Sequence, residues 1–365
     1  MLPIALTSAA IAPDAPFRRE LAGGLLPPEG VAFDDRTLLY DVFRSADDRH
    51  AYLLGPPAIG VEAWFHTLIE RSVAATTPVG WFQNDRHMRG WVTGQVDRID
   101  VSDEHLVPQS LVVQPNLSHL FEGRRVAFTL QKDNNLDWVA DWANFYATCH
   151  GADAVLIYDN GSTRYTPERL HRIVSAIPGI SQAVVVPWTY PFGVTGSTNF
   201  CHAIMLEHAR RRFLASARSV INADIDELAV FDRDVSVFET VENSETGYIQ
   251  APGLYIANAT YAAPDRRRHR DFEELVPGAP PSPPKWAAVP SRCPDASVWR
   301  PHFIAGLESS AAPDDLRFRH FKAINTGWLE PRWQPGETPS SDADIDQAWH
   351  RQAAKVAWTD HEESD

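Results

Sequence analysis

The chain has 365 residues, of which 44% are hydrophobic and 22% are charged, so it can bury a large core in one or two domains. Its formal net charge of −15 argues against a sequence-independent nucleic-acid binder, which needs a basic face to displace counterions from phosphates. The same charge argues against stable docking on an anionic membrane. A basic cluster at residues 266–270 is the local exception, and it is either a solvated loop or an anion-binding segment.

The compartment is predicted to be the cytoplasm. The three cysteines are far apart and form no C-x-x-C pair, which favours reduced thiols over a disulfide framework or a zinc site. Residues 1–15 lack the basic residue that precedes the apolar stretch of a secretory signal. The sequence has no run of the roughly 18 apolar residues that a transmembrane helix needs. We therefore expect no transmembrane segment, and peripheral membrane association stays open.

Residues 31–122 are predicted to be β-rich. Short β-branched or aromatic runs, bounded by Asp, Gly and Pro, lie at 36–43, 50–54, 74–83 and 89–96. Short strands separated by turn residues are typical of a sandwich or a small sheet module. We expect a smaller β-rich domain that precedes the remainder of the chain.

From residue 125 onward, predicted strands alternate with predicted helices. The strands are at 125–130, 152–158, 182–188 and 219–223, and the helices are at 136–150, 167–176 and 198–213. Asp133 or Asn134 could cap the first helix, and Gly151 would end it. This alternation predicts an α/β fold with a parallel, doubly wound sheet. In such sheets, ligands bind beyond the carboxyl ends of the strands.

After residue 227 the pattern is weaker. Strands are predicted at 247–259, 299–304 and 318–324, and a last helix at 345–356. The Pro-, Arg- and acid-rich segment 264–294 is too long for a passive connection, which favours an active-site flap. The predicted domain borders are 1–122 for the β-rich domain, 123–334 for the α/β domain and 335–365 for an acidic tail with its helix.

The predicted strand at 219–223 runs directly into Asp224, Ile225, Asp226 and Glu227. On an extended backbone, residues two apart point the same way, so Asp224 and Asp226 can converge. Converging carboxylates repel each other unless a cation lies between them. Mg²⁺ or Mn²⁺ suits such oxygen ligands and can also hold substrate phosphates. An acidic turn without a ligand is the alternative, and the position at the end of a fourth strand favours the cation site.

Two further polar turns follow the first and second predicted strands. The turn after the second strand contributes Asp159, Asn160 and Ser162. These side chains could bind the ribose or base of a nucleotide, or they could serve only to cap the next helix. The turn after the first strand contributes Gln131, Lys132 and Asn134. Lys132 could contact a phosphate and Asn134 the nucleotide, with a plain polar loop as the alternative.

Several enzyme classes are not favoured by the sequence. No Gly-rich dinucleotide loop or Walker loop follows the first strand, which argues against dehydrogenases and P-loop enzymes. No G-x-S-x-G element or Cys/His signature indicates acyl-transfer chemistry. His302 and His320 lie in aromatic strands, where an isolated histidine is more often a packed residue than a ligand. His302 would be a third metal ligand if the chain folded back onto Asp226.

Residues 126–302 resemble the GT-A-fold glycosyltransferases of the family 2-like and family 92 (DUF23) group. The resemblance is carried by Gln131-Lys132-Asp133-Asn134 with Trp138 and Trp142, by Ile157-Tyr158-Asp159-Asn160-Gly161-Ser162, by Asn222-Ala223-Asp224-Ile225-Asp226-Glu227-Leu228, and by a distal His302. Lys132-Asp133-Asn134 departs from the Lys-Asn-Glu that is usual in this group, which leaves the role of that turn open.

The resemblance implies a GT-A fold and transfer of a sugar from a nucleotide-sugar donor, such as a UDP- or GDP-sugar, to a hydroxyl group of a glycan, polysaccharide or glycolipid. It implies that Asp159 lies near the nucleotide. It also implies that Asp224 and Asp226 bind the ribose of the donor and, through Mn²⁺ or Mg²⁺, its diphosphate. His302 would be the C-terminal metal ligand of this fold.

The chemistry of sugar transfer is consistent with these residues. A departing nucleoside diphosphate develops negative charge, which a divalent ion stabilises, and the sugar passes through an oxocarbenium-like state. An inverting enzyme also needs a carboxylate that takes the proton of the acceptor. Asp271 and Glu274, which follow the D-x-D motif, are the candidates for this base.

Two other functions stay open. One is another metal-dependent enzyme that acts on nucleotides or phosphates. Nucleotidyltransferases usually carry an early Gly-rich loop, however, and dehalogenase-type phosphatases carry their D-x-D after the first strand. The second is a non-catalytic, carbohydrate-binding protein with a transferase-like domain, against which the intact Asp224 and Asp226 argue.

Overall fold

The computed structural model describes residues 4–24, 29, 33–193, 199–256, 267–272, 280–324, 326 and 343–358. Its strands, in chain order, are β1 Ala9–Ile11, β2 Thr37–Leu39, β3 Asp41–Arg44, β4 His50–Gly55, β5 Val79–Gln83, β6 Met88–Thr93, β7 Arg98–Asp100, β8 Leu106–Val107, β9 Ser110–Val112, β10 Arg125–Gln131, β11 Ala154–Asp159, β12 Gln182–Pro187, β13 Ser219–Asn222, β14 Glu227–Phe231, β15 Tyr248–Ile256, β16 Ser282–Ala288, β17 Val298–Trp299, β18 Ile304–Ala305 and β19 Leu316–Phe321. Its α-helices are α1 Glu62–Arg71, α2 Leu136–His150, α3 Pro167–Ser175, α4 Phe200–His208, α5 Val237–Glu242 and α6 Ala343–Ala353.

The chain divides into two compact units. The first, here called the N-terminal unit, comprises residues 3–120 and 189–215, and the second, here called the sheet unit, comprises essentially residues 121–188 and 216–365. Residues 189–215 carry α4 and the turn of π-helix that follows it at Ala209–Phe213. The predicted domain borders at 122 and 334 stay predictions.

The N-terminal unit is built from small antiparallel sheets. Its sheets have the strand orders β2-β1-β8, β3-β4-β6-β5 and β7-β9. The predicted run at 36–43 is broken at Tyr40 into β2 and β3, and the other three predicted runs correspond to β4, β5 and β6. Helix α1, which was not among the predicted elements, packs Phe65, Leu68 and Ile69 into the core of this unit.

The sheet unit contains an eight-stranded sheet of order β12-β11-β10-β13-β16-β15-β19-β14. The four strands predicted from the alternation are the first four neighbours, and all three of their pairings are parallel. Their order, with β10 between β11 and β13, is the 3-2-1-4 order of doubly wound folds. The predicted α/β class with a mostly parallel sheet is therefore confirmed.

Helix α2 begins and ends at the predicted residues. Its N-cap is Asn135, whose side chain accepts from the Asp137 amide at 2.9 Å, so the predicted caps Asp133 and Asn134 are wrong. Asp133 instead accepts from backbone amides of the next turn along the sheet edge. Gly151 ends the helix at φ 71°, a left-handed conformation that costs glycine least.

The half of the sheet beyond β13 is mixed. Strand β16 pairs antiparallel with both β13 and β15, β15 pairs parallel with β19, and β19 pairs antiparallel with the edge strand β14. The predicted strands at 247–259 and 318–324 correspond to β15 and β19. The strand predicted at 299–304 is instead the short hairpin β17–β18, and the last helix is α6.

Residues 282–288 lie in the middle of this sheet as β16, so the flap prediction is wrong for them. Prolines at 283 and 284 concealed this strand, since proline cannot donate to a ladder. Strand β13 pairs with β16 only from Trp286 to Ala288, so these prolines lie beyond the end of that ladder. In the pair that β16 forms with β15, the register shifts between Ala251 and Gly253, and this irregularity accommodates the two prolines.

Candidate functional site

The acidic motif forms a tight turn between β13 and β14. The Glu227 amide donates to the Asp224 carbonyl at 3.0 Å, and the Asp224 amide donates to the Glu227 carboxylate at 3.1 Å. The turn is therefore closed by two hydrogen bonds between the same two residues. Asp226 is 7% exposed and Glu227 is 2% exposed, so two carboxylates are held close together below the surface.

A histidine from the other end of the chain completes this cluster. Strand β19 places His320 directly opposite Glu227 in the β14–β19 pair. The Nε2 atom of His320 lies 3.1 Å from the Asp226 carboxylate. One ligand atom each of Asp226, Glu227 and His320 lies within 4.8 Å of the others. Among the described residues, this group of three could hold a metal ion.

A buried lysine lies beside the cluster. Lys285 is on β16 and is fully buried, with its Nζ atom 2.6 Å from Asp224 Oδ2 and 3.0 Å from Glu227 Oε2. Burial by itself would lower the pKa of Lys285, but the charges of Asp224 and Glu227 outweigh this and hold that pKa above its usual value. The side chain is therefore an ammonium group, and it is paired with two of the three acids of the motif.

His302 lies next to these groups but is not a member of the three-residue cluster that the described residues form. Its Nδ1 atom lies 3.1 Å from the Pro284 carbonyl, and its own carbonyl accepts from Gln250 at 2.6 Å. Burial lowers the pKa of His302, and the charge of Lys285 lowers it further. The structure thus places His302 near Lys285, while its role as a metal ligand stays a prediction.

A second polar group lies at the ends of β10 and β11. Gln131 and Asp159 are direct partners in this parallel pair, and the Gln131 side-chain amide donates to the Asp159 carboxylate. The Ser162 hydroxyl also donates to Asp159. Burial raises the pKa of Asp159, against the effect of the hydrogen bonds from Ser162. Three of the predicted nucleotide-binding residues therefore form one network.

The other predicted nucleotide-binding residues surround this network. The Asn160 side chain donates to the Trp188 carbonyl at 2.6 Å, and the Asn134 amide donates to Gln131 at 3.3 Å. The positive charge of Lys132 opposes the rise in the pKa of Asp159, which places Lys132 near that carboxylate. Tyr165, which the sequence reasoning missed, donates from its hydroxyl group to the Gln131 side chain at 2.9 Å.

The segment 267–272 packs against α2 and the acidic turn. Arg268 donates to the Asp141 carboxylate of α2 at 2.6 Å, and His269 Nε2 donates to the Ile225 carbonyl at 2.8 Å. Arg268 is therefore a buried structural residue rather than part of a solvated loop. The Asp271 carboxylate accepts from the Arg268 amide at 2.7 Å. Glu274, the other predicted base, lies outside the described residues.

Two residues of the site could not be selected from the sequence. Lys285 is a single lysine in a proline-rich stretch, and His320 lies in an aromatic strand, where an isolated histidine is more often a packed residue than a ligand. Glu227, in contrast, carried a signal, because it directly follows the D-x-D motif. Both missed residues lie on strands whose pairing brings together distant parts of the chain, so neither could be assigned before the order of the sheet was known.

Comparison with known proteins gives remote likenesses only. No family model matches the chain, and no curated protein matches it. Among 15 solved chains that match, one is an apo structure of the bifunctional glycosyltransferase WbbM, with a TM-score of 0.28 and 14% identity over 40% of this chain and 26% of that chain. Another is Core-mannan synthase A from Aspergillus fumigatus in a form with Mn and GDP, with a TM-score of 0.27 and 12% identity over 37% of this chain and 43% of that chain.

The chain thus spans less than half the length of either of these structures. At such low TM-scores the likenesses carry no inference about activity, which has to come from the site. None of the helices in the described part of the chain is long and apolar enough to cross a membrane.

Proposed function

We propose that this chain is a metal-dependent glycosyltransferase of the family 2-like and family 92 group. The observation that carries the proposal is the cluster of Asp226, Glu227 and His320. It follows β13, the parallel neighbour of β10, and β10 and β11 end in the polar network of Gln131 and Asp159. Carboxyl ends of parallel strands meet at one edge of a sheet, where ligands of α/β folds bind. A cation site and a polar nucleotide site on one edge are what a nucleotide-sugar donor requires.

The cluster fits the expected cofactor. Two carboxylates and one imidazole offer the mixed oxygen and nitrogen ligands that Mn²⁺ accepts, with Mg²⁺ as the second candidate. Asp226, Glu227 and His320 would hold the ion. When bound, such an ion neutralises the charge that develops on the departing diphosphate.

The donor would be bound by the residues at the neighbouring strand ends. Asp159, held by Gln131 and Ser162, would accept a hydrogen bond from the ribose or base of a UDP- or GDP-sugar. Lys132 would contact a phosphate. Asn134 and Asn160 would position the turns around the nucleotide, and Asp224 would contribute a carboxylate beside the cation.

The reaction is proposed to invert the anomeric centre, with transfer to a hydroxyl group of a glycan or glycolipid. An inverting enzyme needs a carboxylate that accepts the proton of that hydroxyl group. Asp271, whose side chain is 44% exposed, and Glu274 are the proposed bases. The β-rich part at residues 1–122 would accompany the transferase domain at 123–334 and the tail at 335–365.

The proposal is tested with the purified chain, a panel of UDP- and GDP-sugars, and Mn²⁺. We expect metal-dependent release of nucleoside diphosphate, and a rise in melting temperature with UDP or GDP that requires Mn²⁺. Asp226→Asn should lower the release roughly 100-fold. The matched control is Asp234→Asn, which alters an exposed carboxylate paired with Lys355.

No release and no metal-dependent shift with any nucleotide would overturn the proposal. Equal activity of Asp226→Asn and Asp234→Asn would place the reaction elsewhere in the molecule. Consumption of a nucleoside triphosphate with release of pyrophosphate would favour nucleotidyl transfer instead.

A further inference from the structure

The ammonium group of Lys285 is buried directly against the acidic turn. It is fully buried and contacts Asp224 at 2.6 Å and Glu227 at 3.0 Å. Removing an ammonium ion from water is costly unless carboxylates compensate it at close range. Asp224 and Glu227 are therefore already paired with a positively charged group of the protein itself.

The two oxygens of Glu227 have different partners. Oε2 faces Lys285 and accepts from the Asp224 amide at 3.1 Å, whereas Oε1 lies 3.5 Å from His320 Nδ1. Glu227 thus joins the lysine on one side to the histidine of the cation cluster on the other. The Glu227 carboxylate therefore lies between the Lys285 ammonium group and the position of the proposed metal ion.

Asp224 and Asp226 differ from each other in their partner and in their exposure. Asp224 directs Oδ2 to Lys285, and its side chain is 35% exposed. Asp226 directs Oδ2 to His320, and its side chain is 10% exposed. Asp224 is therefore the more exposed of the two and is directed to the lysine, whereas Asp226 is the more buried and is directed to the histidine.

Lys285 and the acidic motif bring opposite charges together. Asp224, Asp226 and Glu227 are three carboxyl groups and Lys285 is one ammonium group, which contacts only Asp224 and Glu227 among the three. Asp224 is not among the three residues whose ligand atoms lie within 4.8 Å of one another, so its pairing with Lys285 leaves that group of three intact.

We propose that Lys285 is a positioning residue that withholds Asp224 from the metal ion. Asp226, Glu227 and His320 then bind the ion, and Asp224 stays paired with Lys285 outside that group. This inference rests on the cation site of the proposed function and not on sugar transfer.

The test uses Mn²⁺ alone as the probe, with the full chain and no nucleotide. Free Mn²⁺ is followed by electron paramagnetic resonance during titration of four variants. Asp226→Asn should weaken Mn²⁺ binding about tenfold or more, and Asp224→Asn should change it by less than about threefold. Lys285→Met should tighten binding about tenfold, because Asp224 becomes a ligand of the ion. Adding Asp224→Asn to Lys285→Met should remove that gain.

Two results would overturn the inference. One is that Asp224→Asn weakens Mn²⁺ binding as much as Asp226→Asn. The other is that the gain of Lys285→Met persists in the double variant. If Lys285→Met fails to fold, as judged by its melting curve, the comparison of Asp224→Asn with Asp226→Asn decides alone, since both keep the lysine.

The same data separate this inference from the proposed function. If the Mn²⁺ pattern holds and no nucleotide-sugar is turned over, the division of the acids stands and the transferase proposal fails. If nucleotide-sugars are turned over only with Mn²⁺ but Asp224→Asn weakens Mn²⁺ binding as much as Asp226→Asn, the transferase proposal stands and this inference fails.

Discussion

Glu227 and His320 face each other across the antiparallel pair of β14 and β19, with 3.5 Å between Glu227 Oε1 and His320 Nδ1. The ladder of the sheet therefore sets the spacing between the acidic turn and a histidine that lies 94 residues after Asp226. The hydroxyl group of Tyr146, on α2, donates to the Glu227 carbonyl at 3.1 Å and accepts from the Ala229 amide at 3.2 Å. The cluster is thus held by packed secondary structure, which favours a preorganised cation site.

The two histidines near the motif are expected to differ in metal binding. His320→Gln should weaken Mn²⁺ binding about tenfold or more, since it removes a ligand. His302→Gln should weaken it by less than about threefold, because the His302 Nδ1 atom already bonds to the Pro284 carbonyl. Isothermal titration calorimetry with MnCl₂ measures both. The opposite order would make His302 the ligand, as the resemblance implied.

The carboxylate of Asp159 is expected to contribute to nucleotide affinity. Asp159→Asn keeps the shape of the side chain and removes the charge, so UDP or GDP should bind about tenfold more weakly, with Mn²⁺ affinity unchanged. The control is Asp153→Asn at the other end of β11, where the carboxylate accepts from the Arg125 amide at 2.8 Å. Equal losses in the two variants, measured by calorimetry, would assign Asp159 to folding instead.

The sequence was sufficient to predict the parallel half of the sheet, because the patterns that indicate its strands and helices are local. Each of the four strands is an apolar run, and helix α2 has apolar residues at helical spacing with a glycine at its end. Parallel topology then places the ends of β10 and β11 at one edge. The direct pairing of Gln131 with Asp159 follows from that topology.

The sequence was not sufficient to predict which residues from other strands lie beside the acidic turn. Pro283 and Pro284 hide the start of β16, so Lys285 gave no sign of lying in a buried strand. His320 gains its partner only through the pairing of β14 with β19, which joins segments far apart in the chain. Local propensity cannot report such pairings, since they depend on the order of strands in the whole sheet.

The buried ion pair of Arg268 with Asp141 is expected to stabilise the fold. Arg268→Met leaves Asp141, which is 1% exposed, without its main counter-charge, and should lower the free energy of unfolding by about 3–5 kcal/mol. Arg270→Met, two residues away and at a more exposed arginine, should change it by about 0–0.5 kcal/mol. Urea unfolding measures both.

The double variant Arg268→Met with Asp141→Leu provides the control for this pair. It removes both charges and should recover most of the loss, since no buried carboxylate is then left unpaired. Equal stability of Arg268→Met and Arg270→Met would contradict a structural role of the pair.

The stability of the sheet unit is expected to fall in mild acid because of His150. Its Nε2 atom donates to the Ala229 carbonyl at 2.8 Å and its Nδ1 atom accepts from the Val237 amide at 3.3 Å, so both ring nitrogens are bonded in the neutral form. Burial lowers the pKa of His150 from 6.5 to about 4. Between these values the unfolded chain binds a proton that the folded chain does not. The contribution of neutral His150 to the free energy of unfolding is therefore fully present above pH 6.5. It decreases by about 3 kcal/mol as the pH falls toward 4.

Urea unfolding at pH 7, 5 and 4 tests this dependence. His150→Gln should be less stable than the unaltered chain at pH 7, because a glutamine cannot repeat both ring hydrogen bonds, but its stability should fall less between pH 7 and pH 4. The control is His350→Gln in α6, which alters an exposed histidine, and its pH dependence should follow that of the unaltered chain. Parallel curves for His150→Gln and the unaltered chain would assign the acid sensitivity to other groups.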